Sequence, residues 1–124
     1  MGKDRRPVVT TLAINVTRSV SALIYKDEVF QLRTTIDIRM SREGDLVISA
    51  YEPLRISAYG FAEAEALEAF AEEFSSCWHF IAQEDDDRLA PDAQQLKHRL
   101  LDLVESVQLA HEFLSHVTNQ EGVV

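Results

Sequence analysis

Between Val29 and Met40 the chain alternates apolar and polar residues with a period of two. Phe30, Leu32, Thr34, Ile36, Ile38 and Met40 share one face, and Gln31, Arg33, Thr35, Asp37 and Arg39 share the other. That period predicts a strand with one buried and one wet face. Related patterns surround it. "VVTTLAINV" places Val8, Leu12, Ile14 and Val16 on one face, and "SVSALIY" forms a short run after Arg18. "SREGD" is a polar turn in which Gly44 can take positive φ. "LVISAYE" then predicts a strand with Leu46, Ile48 and Ala50 inside. Glu52-Pro53 breaks it, and "LRISAYG" sets Leu54, Ile56 and Ala58 on one face. Connections this short favour an antiparallel meander, because parallel strands need a long crossover.

After Gly60 the period changes. Leu67, Phe70, Phe74, Trp78 and Ile81 step by three or four residues, as one face of a helix over about 62–83 does. Glu63 and Glu65 fall in its first turn, where the helix dipole favours them. Gly60, Phe61 and Ala62 offer no capping oxygen, so packing must hold this start. "QEDDDRLAPD" interrupts the pattern, and Pro91 opens a second helix over about 91–117. There Leu96, Leu100, Leu103, Val107, Ala110 and Leu114, continued by Val117, form a three-heptad apolar seam. The seam either closes the monomer or pairs with a second copy. The expected architecture is α+β: an antiparallel meander of three to five strands, strand-rich over 8–60, followed by two α-helices packed on one sheet face. The length of 124 residues suits one domain spanning 1–124.

Composition adds a polarity to this frame. Residues 1–58 carry nine Lys/Arg and seven Asp/Glu, whereas residues 59–124 carry three and fourteen. The acidic second half repels phosphates, which argues against nucleic-acid binding through it, and attracts a basic protein. Glu68, Glu72 and Glu73, with Asp85, Asp86 and Asp87, are the candidate partner-binding acids. On the sheet, Arg33, Arg39 and Arg55 with Tyr51 and Tyr59 fall on predicted wet faces and form a candidate contact surface. The single Cys77 permits no internal disulfide, no apolar run approaches a membrane span, and the opening "MGKDRRPVV" lacks the look of a secretory leader. A cytoplasmic location is the expectation.

No reaction chemistry is legible. The histidines of "HEFLSH" are five apart, not the four that would aim both at one metal on a helix. Acids upstream of Cys77 raise a thiol pKa and so disfavour a nucleophile. No Gly-x-Ser-x-Gly elbow or glycine-rich phosphate loop occurs. The acids of "EDDD" point in different directions, unlike a calcium loop. Neither a metal nor a cofactor is expected, and the chain reads as a non-enzyme.

The run "RISAYGFAEAEALEAFAEEF", a strand passing through a glycine into a helix, resembles the HicB-like antitoxin domain over roughly residues 28–82. Gly60, Glu65, Ala66 and Leu67 match that family's strand–glycine–helix signature, and Ala62 stands where the family prefers Thr. The resemblance implies a dimeric antitoxin that masks a small basic RNA-cleaving toxin. The expected function is therefore a non-catalytic, antitoxin-like inhibitor, homodimeric, engaging a basic partner through its acidic helices. A small acidic secretion-type chaperone, or a phage or viral inhibitor mimicking nucleic-acid charge, are the alternatives.

Overall fold

The computed structural model describes residues 16–111. Four strands form an antiparallel meander in the order β1 (Val16–Tyr25), β2 (Glu28–Glu43), β3 (Leu46–Tyr51) and β4 (Ile56–Gly60). Two helices follow, α1 (Glu63–Cys77) and α2 (Pro91–Leu103), and then a fifth strand, β5 (Val104–Leu109), which pairs antiparallel with β2. The architecture is α+β, as the periodicities imply. The run 8–15, Arg5, Arg6, Leu114, His116 and Val117 lie outside the described residues.

Two-residue turns set the registers. Lys26-Asp27 joins β1 to β2 with Lys26 at φ 55°, and Gly44-Asp45 joins β2 to β3 with Gly44 at φ 59°. Glu52-Pro53-Leu54 forms a 3-10 turn, closed by Arg55 in the left-handed region, which sends β4 back along β3. β1 runs unbroken through Arg18, so "VTRSVSALIY" is one strand.

β2 is the spine of the sheet. One edge pairs with β1 along most of its length; the other is divided between β5, at Glu28–Leu32, and β3, at Arg39–Glu43. Phe30, Leu32, Ile36, Ile38 and Met40 are buried as their alternation predicts. Thr34 is the exception. It is exposed, at a stretch that neither β3 nor β5 reaches.

Two expectations are corrected. The first concerns β3, where Val47 and Ser49 are buried and Leu46, Ile48 and Ala50 lie half-buried on the opposite face. The Gly44 turn sets Met40 opposite Ser49, so Ser49 inherits the core face of Met40; a register shift of one residue inverts every side chain. The hydroxyl of Ser49 donates to the carbonyl of Ala66 in α1 at 2.8 Å, so this buried polar group is satisfied. The second concerns the terminal helix, which ends at Leu103; Val104 turns extended and starts β5. An unpaired β2 edge at residues 28–32 would leave a row of open peptide groups, and β5 closes it.

The core sits between the sheet and both helices. Phe30 meets Phe74 and Trp78 edge to face, with centroids 5.4 and 6.1 Å apart. Beyond Cys77 the α1 helix continues through one π-helical turn, Trp78–Ala82. At its start, a Cβ on Gly60 would lie 2.5 Å from the Cβ of Glu65, so only glycine lets α1 fold back so tightly on β4. The missing N-cap is real: Ala62 contributes no side-chain bond, but Glu65 accepts the Phe61 N–H at 2.8 Å and does part of that work.

Candidate binding groove on the acidic helix

α1 carries five glutamates in fifteen residues and no lysine or arginine. Their spacing sorts them. Glu65, Glu68 and Glu72, with Ala69 between, follow steps of three and four and line one side of a groove of about 410 Å3. The facing wall is the β1–β2 hairpin tip: Ile24, Tyr25 and Lys26. The ammonium of Lys26 lies 5.4 Å from the centroid of the Tyr25 ring. Among the described residues neither Glu68 nor Glu72 has an ion-pair partner, and both are exposed. The groove thus sets Glu68 and Glu72, which lack an ion-pair partner among the described residues, across from Ile24, the Tyr25 ring and the single cation Lys26, an arrangement that suits a basic side chain with a long aliphatic stem.

The other candidate acids are placed elsewhere. Glu73 is exposed but does not line the groove. Asp85, Asp86 and Asp87 sit at a 3-10 turn before α2. There Lys97 binds the Asp86 carboxylate at 2.8 Å and also donates to the Glu84 carbonyl, and His98 approaches Asp86 at 3.5 Å. The hydrogen bond from Lys97 holds the Asp86 carboxyl below the usual aspartate range. This run is the anchor of α2 rather than part of the groove. In the sequence Glu65 stands out for the helix dipole and the strand–glycine–helix signature; its spacing from Glu68 and Glu72 is the signal that assigns it to the groove.

The sheet residues are engaged internally. Arg33 donates through Nε to the Asp102 carbonyl at 3.0 Å, Arg39 pairs with Glu52 at 3.0 Å, and Arg55 lies 3.8 Å from Asp92. They do not gather as one field of free cations. Tyr59 is exposed on the outer sheet face, as expected. Tyr51 is not: it lies half-buried against the core, because β3 presents the opposite face from the one its sequence suggests. The seam residues divide likewise. Leu96, Leu100, Leu103 and Val107 pack into the core of their own chain, whereas Ala110 packs on Ala22 and Val29 at the other sheet face. The helical seam does not exist as a continuous stripe, since Val107 belongs to a strand.

His79 meets Glu28 at 2.7 Å through Nε2 and Gln83 at 3.2 Å through Nδ1, and its bond to Glu28 raises its pKa. Burial pushes the Cys77 thiol up, and the Glu73 carboxylate adds to the shift. Among the described residues no three His, Cys, Asp or Glu side chains converge as a metal site, and no helix is long and apolar enough to cross a membrane.

No family model matches the chain, and no curated protein or solved structure matches it either. The groove on α1 is therefore read on its own geometry.

Proposed function

We propose that this chain is a non-catalytic protein-binding module that takes a basic partner into the groove between α1 and the β1–β2 hairpin, in the manner of an antitoxin-like inhibitor. The observation that carries the reading is the alignment of Glu65, Glu68 and Glu72 along one groove whose opposite wall is Ile24, Tyr25 and the single cation Lys26. Carboxylates so placed steer a cationic surface and fix its register, and the apolar wall takes the stems of its lysines or arginines. The likeness of the strand–Gly60–helix passage to the HicB-like domain agrees with a toxin-masking role.

The test is a pull-down from the native host with the tagged full chain, at low and high salt, repeated with Glu68→Lys/Glu72→Lys. A small basic protein held at low salt, released at high salt and lost by the double variant supports the reading. Retention of the same partner by the double variant, or no basic protein at either salt, sinks it.

A further inference from the structure

β1 is the first strand of the sheet, and among the described residues it pairs with β2 alone, so its far edge meets no other strand. The two halves of that edge differ. In the first, Arg18 is held by both carboxylate oxygens of Glu63 at 2.8 Å, and the register with β2 shifts between Val20 and Ala22. Beyond the shift, Ala22 to Tyr25 pair regularly with Gln31 to Glu28. These four residues include no charge and no proline, so the usual devices that blunt an open edge are missing there.

This second half opens into the groove on α1. Successive side chains of a strand point to opposite faces. Leu23 packs in the core with Phe70 and Phe74, and Ile24 packs with Ala22 and Val29 on the other face. By the same alternation Tyr25 returns to the helix side. Yet the groove touches Ile24 and Tyr25 together. A cleft that meets two neighbours with diverging side chains meets the strand at its rim, where peptide groups are presented. The helix keeps step beside it: Glu63 pairs with Arg18 towards one end of β1, and Glu72 shares the groove with Lys26 at the other.

We infer, resting on the groove proposed above as the binding site, that the basic partner enters it as an extended segment, which adds to β1 as a further strand along Ala22–Tyr25 and turns a basic-x-basic pair to Glu68 and Glu72. The open edge selects a strand, since a helix laid in the groove would cover those peptide groups without pairing them. The spacing agrees. Glu68 and Glu72 are one helical turn apart, ~6 Å along the axis, and residues on one side of a strand repeat every ~6.6 Å. The charges set the number. Three carboxylates, of Glu65, Glu68 and Glu72, stand against the one ammonium of Lys26, which leaves two negative charges. Glu65 already accepts the Phe61 N–H at 2.8 Å, and Lys26 keeps to the hairpin tip near the Tyr25 ring. Both basic side chains therefore go to Glu68 and Glu72.

The experiment uses the full chain and synthetic peptides, with affinity read by calorimetry and amide hydrogen exchange followed residue by residue. The probe is a nine-residue peptide rich in valine and threonine with a central Lys-Val-Arg. One control is the same peptide N-methylated at alternate residues, in each of the two phases, which keeps every side chain and charge but removes backbone donors. The other is an alanine-rich helical peptide of equal charge. The expected result is that the probe binds and slows exchange at the amides of Ala22–Tyr25 that β2 leaves unpaired. One phase of N-methylation weakens it at least tenfold, as does Glu68→Lys/Glu72→Lys, and the helical peptide binds at least tenfold more weakly. Both altered glutamates are exposed, and circular dichroism checks that the variant folds. Equal binding of both N-methylated forms, or tighter binding of the helical peptide, overturns the added strand and leaves the acidic groove standing as a site. Exchange slowed at β4 in place of β1 overturns it by moving the strand to the sheet's other terminal edge. Full protection of all four amides before any peptide is added overturns it too, because the edge is then already covered by the chain itself or by a second copy. Binding that survives charge reversal undiminished overturns the pairing with Glu68 and Glu72. Binding by none of the peptides also overturns it, and the pull-down then judges the groove on its own.

Discussion

The second half of this protein has two acidic regions, and they are opposites in construction. The run Glu84 to Asp87 is the denser in sequence, yet Lys97 and His98 are folded onto Asp86, and Lys97 reaches the Glu84 carbonyl as well. On α1 the glutamates are more dilute, and Glu68 and Glu72 have no cation within the described chain. The comparison teaches that charge density does not mark a binding surface. What marks it is charge that the fold leaves uncompensated beside a wall able to take the rest of a ligand.

The largest effect that would break this contrast is charge reversal in the groove. Glu68→Lys/Glu72→Lys should weaken capture of the basic partner at least tenfold at low salt, mostly through a slower on-rate, with thermal unfolding unchanged. Surface plasmon resonance against the identified partner would measure it; equal on-rates would erase the distinction. Next comes the anchor. Lys97→Met removes a largely covered ammonium, 16% exposed, from two acceptors at once, and should cost about 1 kcal/mol in urea unfolding while leaving binding intact. A smaller effect is confined to acid. Because the Asp86 carboxyl is depressed in the folded state, its contribution is fully present above the unfolded pKa near 4 and is lost as pH falls through the lower folded value. Asp86→Asn should therefore flatten the acid limb of a stability–pH curve below about pH 4. His79 runs the other way: its raised pKa gives stability that is complete below about 6.5 and fades as pH rises through the folded value, so His79→Gln should lose that slope. Smallest of all, Asp85→Asn and Asp87→Asn should change partner affinity by less than about twofold, since neither lines the groove.

Much of this arrangement is visible in the alternation of β2 and the helical steps of Leu67, Phe70 and Phe74, because each pattern fits one period well. The inverted face of β3 was hidden for a physical reason. Leu46, Ile48 and Ala50 are more apolar than Val47, Ser49 and Tyr51, and only the tight turn at Gly44, together with the close approach of α1 to Ser49, selects the second set. The terminal segment misled in another way. Its steps of three and four suit a helix, but the open edge of β2 at residues 28–32 exists only in the folded chain and claims Val104–Leu109 as a strand. The groove was half legible: Glu68 and Glu72 stood out, whereas the opposing Ile24 and Tyr25 lie some forty positions earlier and are brought there by tertiary folding alone.

The pairing of β5 with β2 also has a bearing on how the chain is made. Val104–Leu109 completes an edge belonging to residues 28–32, so the central strand stays half-covered on the ribosome until nearly the whole described sequence has been synthesised. A chain ending short of Val104 would present that bare edge to its neighbours.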